Sequence, residues 1–124
     1  MHDRRKVLII DDEIDLCLLL KGYFLRKNYE VYLSHTLGEG ISFLRSIRPD
    51  ILFLDNNLPD GIGWSAAPEL AGEFPQMYIN LISAFHPAMP EMPENARFNV
   101  IEKPISLTDL DKQLSEIETT AVKQ

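Results

Sequence analysis

Five polar side chains carry the chemistry this sequence can offer, and each stands at the end of an apolar run. Asp11 and Asp12 follow Val7-Leu8-Ile9-Ile10, and Asp55 follows Ile51-Leu52-Phe53-Leu54. Ser83 ends the stretch Met77 to Ile82, and Lys103 lies two residues beyond Phe98 to Ile101. Apolar runs without polar alternation fit strands buried on both faces, as in a parallel sheet covered by helices. All strands of such a sheet end at one edge, where open α/β folds bind ligands. Carboxylates gathered there repel one another unless a cation joins them, and oxygen ligands suit Mg2+, with Mn2+ as a substitute. An acid pair, a single acid, a hydroxyl and an ammonium in that order equip a site for phosphoryl chemistry. One carboxylate, Asp55, is left to act as nucleophile and form an acyl phosphate. Metal, hydroxyl and ammonium then share the charge of the transferring group.

The elements that must position these groups can be read in order. A strand over 7–10 leads to a helix opened by Asp11 or Asp12 and running to about Lys27, its acids suited to the amino-terminal end. Ile14, Cys17, Leu18, Leu20, Phe24 and Leu25 predict its apolar face, and Asn28-Tyr29 its stop. A short strand over 30–33 precedes a helix capped by Thr36, with Leu37, Ile41, Leu44 and Ile47 at helical recurrence. Gly38 and Gly40 weaken its first turn, and Pro49 ends it. Pro68 belongs in the first turn of a third helix, which moves that start to about Ala67. Pro87, Pro90 and Pro93 recur every third residue and forbid an ordinary long helix there. Ser106 or Thr108 caps a last helix with Leu107, Leu110, Leu114 and Ile117 on one face. The alternation predicts an α/β fold, a doubly wound five-stranded parallel sheet with helices on both faces, the fourth helix short or irregular. One domain spans 1–124, with a core over about 5–118 and a frayed tail over 119–124.

Length and charge limit the partners. A chain of 124 residues holds one core and not two. Twelve basic against nineteen acidic residues leave a formal charge of −7, which disfavours direct nucleic-acid or anionic-membrane binding. The trio Arg4-Arg5-Lys6 is read as a solvated lead into the first strand. Cys17 is the sole cysteine, so no intramolecular disulfide or multi-cysteine zinc site is available, which suits a reducing, cytoplasmic setting. Set among leucines, it reads as a buried structural thiol. No stretch approaches the roughly eighteen apolar residues that span a membrane, and the start lacks the apolar core of a secretion signal.

Four motifs stand in order at the strand ends: Ile10-Asp11-Asp12-Glu13, Asp55-Asn56-Asn57-Leu58-Pro59-Asp60-Gly61, Ile82-Ser83-Ala84 and Glu102-Lys103-Pro104-Ile105. Each is weak alone, and together they are specific. Over nearly its whole length the chain resembles the response-regulator receiver domain of two-component signalling. That resemblance implies a flavodoxin-like fold and a phosphorelay module. Asp55 would accept a phosphoryl group from a histidine kinase or histidine phosphotransfer protein. Asp12, Asp55 and the backbone carbonyl of Asn57 would hold Mg2+, with Asp11 acting through water. Ser83 and Lys103 would hold the acyl phosphate, and Lys103-Pro104 would be cis. Output would pass to a downstream protein by contact, with slow self-dephosphorylation and no turnover on an external substrate.

The chain also departs from that pattern. Val100 stands three residues before Lys103, where receivers usually carry a Tyr or Phe that swings inward with the hydroxyl residue. Phe98 is then a core or edge aromatic. Only nineteen residues separate Ser83 from Lys103, which shortens the usual signalling face. These features favour a second reading, a degenerate receiver that binds a partner without phosphate. A third reading, a Mg2+-dependent phosphohydrolase, wants an acid where Asn57 stands and a cap for which there is no room. Phe85 is placed to screen an acyl phosphate from water, and His86 beside it is a lone loop histidine. His2 and His35 have no role legible in the sequence. Trp64 is read as core, and Met89 and Met92 as a candidate partner surface.

Overall fold

The structure is a computed structural model that describes residues 4–85 and 87–122, with side chains described as far as Thr119. His2 and His86 therefore lie outside the described residues. In chain order the elements are β1 (Lys6–Ile10), α1 (Ile14–Arg26), β2 (Glu30–Ser34), α2 (Leu37–Ile47), β3 (Ile51–Asp55), β4 (Asn57–Leu58) and β5 (Gly61–Ile62). A 3-10 turn (Gly63–Ala66), α3 (Ala67–Glu73), β6 (Tyr78–Ser83), β7 (Phe98–Glu102) and α4 (Leu107–Val122) follow. Five strands form one sheet in the order β2-β1-β3-β6-β7, and every neighbouring pair is parallel. This is the doubly wound sheet expected from the alternation, flanked by helices on both faces.

Alternate residues of each strand feed two cores. Val7, Ile9, Ile51, Phe53 and Ile82 meet α1 and α4, whereas Leu8, Ile10, Leu52, Leu54, Ile79 and Leu81 meet α2 and α3. All five residues of β3 are buried, so the strand carrying Asp55 is enclosed from both sides. Asn28, at φ 67, turns the chain out of α1 as a left-handed residue, in keeping with the stop seen in the sequence. Pro68 falls in the first turn of α3. Gly40 is buried, and a Cβ there would lie 2.6 Å from Ile10 Cδ1, so this glycine lets α2 rest directly on β1.

Several local expectations are corrected. Helix α1 begins at Ile14 with Glu13 in the cap position and no side-chain cap. Asp11 and Asp12 stay outside it, and Asp11 instead accepts a hydrogen bond from the Glu13 N–H at 2.8 Å. The buried stripe of α1 is Cys17, Leu20, Tyr23 and Phe24, while Ile14, Leu18 and Leu25 face outward. Thr36 occupies the cap position of α2 without making a cap bond. Ser106 does cap α4, its hydroxyl accepting from Asp109 N–H at 3.0 Å. That helix continues past Thr119 to Val122. As the proline spacing predicts, the segment between β6 and β7 is irregular, with no helix among the described residues and a turn at Glu94-Asn95.

Candidate functional site

The sheet order sets the site. Parallel pairing places Ile10 beside Leu54, Asp55 beside Ile82, and Ser83 beside Glu102. Asp11, Asp55, Ser83 and Lys103 thus leave their strands at one edge of the sheet. Asp11, Asp55 and Ser83 are buried, and Asp12 is exposed. One oxygen from each of Asp11, Asp12 and Asp55 lies within 4.8 Å of the other two.

Lys103 closes this group. Its ammonium lies 2.6 Å from Glu13 Oε1, 3.0 Å from Asp11 Oδ2 and 3.4 Å from Asp55 Oδ1. Burial works against that charge, but Glu13, Asp11 and Asp55 outweigh it and hold Lys103 above the usual lysine value. Asp55 is pushed up to about 6, first by burial and then by the Asp11 charge, with Lys103 pulling the other way. The peptide between Lys103 and Pro104 is cis. Ser83 Oγ accepts the Phe85 N–H at 3.1 Å, an engagement with its own loop. The Phe85 ring itself is 72% exposed, so a backbone group and not the ring meets the site hydroxyl.

Four residues brace the backbone at the strand ends, through contacts not visible in the sequence. The buried Trp64 indole N–H donates to Leu54 O and Ile82 O, each at 3.2 Å. Those carbonyls immediately precede Asp55 and Ser83. Trp64 is core, as expected, and it is also a tie across the two strands. Behind it, Gly63 runs so close to Asp55 that any Cβ would collide with the Asp55 carbonyl oxygen. His35 Nδ1 lies 2.9 Å from the Asp11 carbonyl; a carbonyl only accepts, so Nδ1 carries the proton. The Cys17 thiol donates to the same carbonyl at 3.3 Å. Burial, aided by the Asp11 charge, raises that thiol to about 11, the inert cysteine expected. His35 follows β2, whose pairing with β1 places Ser34 against Ile10; that register was the signal able to reveal it.

Asp11 Oδ2 is enclosed and lacks a hydrogen bond of good geometry, with Lys103 beside it. Three converging carboxylates, one carrying such an oxygen, are the hard donor set that a Mg2+-sized cation takes. Asn57, two residues beyond Asp55, lies on β4 at the same end of the sheet. Phe98 packs on the α2–α3 core as a partly buried aromatic. Val100 is 41% exposed on the edge strand β7, with Met89 exposed and Met92 partly packed nearby in sequence.

A family profile described as the response regulator receiver domain matches residues 7–115. The chain belongs to the response regulator receiver family. As a receiver it is 31% identical over 122 residues to the transcriptional regulatory protein BtsR of Escherichia coli strain K12, across 96% of this chain and 50% of that protein. The receiver thus spans about half the length of the curated relatives it matches. Among solved structures, a CheY-like receiver from Methanospirillum hungatei JF-1 superposes with a TM-score of 0.83 at 21% identity, covering 98% of this chain and 100% of that one. A two-component response regulator from Clostridium difficile gives 0.79 at 23% identity, covering 94% and 97%. At these identities the two structures attest the fold. The acid cluster and the Lys103 ion pairs supply the phosphoacceptor architecture of a receiver. No helix of this receiver is long and apolar enough to cross a membrane among the described residues.

Proposed function

We propose that this receiver is the phosphoacceptor of a two-component phosphorelay, charged at Asp55 by a histidine kinase or histidine phosphotransfer protein. The observation that carries the reading is the convergence of Asp11, Asp12 and Lys103 on the buried Asp55 carboxylate. An Asp55 oxygen forms the new bond to phosphorus as the phosphorus–nitrogen bond of the donor imidazole breaks. The imidazole departs with that electron pair and takes up a proton. With its pKa near 6, Asp55 is largely ionised at neutral pH and available to attack. Asp12, Asp55 and the Asn57 carbonyl are the groups to hold Mg2+, with Asp11 reaching it through water; when bound, the ion neutralises carboxylate and phosphoryl charge. Lys103 exchanges part of its contact with Glu13 for a phosphoryl oxygen, and Ser83 turns from Phe85 N–H toward another. The groove formed by Leu16, Leu19, Ala84, Pro104 and Ile105 beside Lys103 gives a protein donor an apolar surface next to the acceptor. The module receives one phosphoryl group and signals by contact in the cytoplasm, without turnover on an external substrate.

Intact mass after incubation with acetyl phosphate tests this. A gain of one phosphoryl group that needs Mg2+ and disappears in Asp55→Asn supports the acceptor. A second reading, phosphate-independent binding, draws on Val100 and on the irregular chain between β6 and β7. No adduct under any condition would make that alternative the better reading.

A further inference from the structure

Helix α2 is capped from a distance. Its own cap residue, Thr36, makes no side-chain bond to the helix. Both oxygens of Asp60 do so instead, Oδ1 accepting Leu37 N–H at 2.7 Å and Oδ2 accepting Gly38 N–H at 2.9 Å. These two donors hold the Asp60 carboxyl below its ordinary value. The seat is close-fitting: a Cβ on Gly38 would lie 3.4 Å from Asp60 Oδ2, and one on Gly61 would lie 3.2 Å from Leu37 Cδ2.

Asp60 sits in the turn of the β4–β5 hairpin, which has only two residue pairs, Asn57 with Ile62 and Leu58 with Gly61. A hairpin of that size does not hold its own shape in water. Its base is tied where Gly63 N–H donates to Asn56 O at 2.8 Å, and Leu58 is sunk in the core. Leu58 and the base bond hold the hairpin to the body of the domain, and the Asp60 clasp adds a further point at the tip, opposite the base. Asn57 lies between the two.

We propose that Asp60 is a positioning residue for the metal site: by grasping the start of α2 it fixes the hairpin, and so the Asn57 carbonyl. The inference rests on the reading above that this carbonyl is a metal ligand. Its test is a Mg2+ titration followed by the fluorescence of Trp64, the single tryptophan, with urea denaturation run in parallel. Asp60→Ala weakens Mg2+ binding about tenfold, the scale typical of groups that orient a ligand. The double variant Thr36→Asp with Asp60→Ala restores a local cap to α2 without rejoining the hairpin. It regains stability against urea but keeps the weakened Mg2+ affinity. Asp60→Asn retains an acceptor and falls between wild type and Asp60→Ala. If wild type shows no Mg2+ response by fluorescence or by amide chemical shifts, the metal site itself falls, and this inference with it. If wild type responds and Asp60→Ala binds within twofold of it, the clasp is overturned while the metal site stands. Recovery of Mg2+ affinity in the double variant equally overturns it, because Asp60 would then be a helix cap and nothing more.

Discussion

Replacing Trp64 by Phe isolates the tie between the two strands that carry Asp55 and Ser83. Phe keeps an aromatic ring in the buried site and removes the indole N–H shared by Leu54 O and Ile82 O. Ile82 O still accepts Asn56 N–H at 3.1 Å, so it is not left bare. Loss of the buried donor costs about 1 kcal/mol. The smaller ring leaves a void behind β3 and β6, adding about 1–2 kcal/mol. A total near 2–3 kcal/mol lowers the melting temperature of a domain this size by about 10 °C. Urea denaturation followed by circular dichroism measures it without relying on the lost fluorophore. The variant should also accept phosphate from acetyl phosphate more slowly, because Asp55 and Ser83 are no longer held at a set separation. A stability loss below about 0.5 kcal/mol would refute the reasoning, since neither the shared bond nor the packing would then contribute as the geometry requires.

Three further outcomes are expected. Gly63→Ala drives a methyl group into the Asp55 carbonyl, so it loses about 3 kcal/mol or more by urea titration and, where still folded, fails to take phosphate. Asp55 holds its proton to a higher pH folded than unfolded, so the folded state loses stability as pH rises from about 4 through about 6. In EDTA at pH 7.5, Asp55→Asn is therefore more stable than wild type by about 2–3 kcal/mol, and the gap closes toward pH 4 in parallel denaturation curves. The Tyr29 hydroxyl donates to Glu118 at 2.8 Å and that of Tyr23 to Asp111 at 2.6 Å. Tyr29→Phe and Tyr23→Phe each cost about 1 kcal/mol by chemical denaturation, with phosphorylation unaffected.

Legibility in the sequence followed the range of the interactions. Apolar runs ending in Asp11, Asp55, Ser83 and Lys103 needed only local pattern and the rule that parallel strands end together, so the sheet and its acidic edge were readable. The outward turn of Ile14, Leu18 and Leu25 was not, because both stripes of α1 are apolar and packing against the sheet and α4 decides which is buried. The Asp60 clasp escaped for a different reason. A cap is sought beside its helix, and Thr36 stood there, while the true acceptor lies 22 residues beyond Gly38, whose N–H it accepts. Asn80 shows a further limit. It is wholly buried in β6, yet neither side-chain polar atom has a hydrogen-bond partner, and its neighbour across the ladder is Asn99. A buried amide amid apolar residues carries no local signal of what surrounds it.

The enclosure of Cys17 has a practical consequence for anyone wishing to watch this receiver move. With the thiol at about 11, roughly one molecule in ten thousand presents a thiolate at pH 7, and the residue is 1% exposed. Maleimide dyes and spin labels therefore pass it by. A cysteine introduced at an exposed position such as Phe85 or Met89 can be labelled selectively in the native background, with Cys17 and its bond to the Asp11 carbonyl left intact.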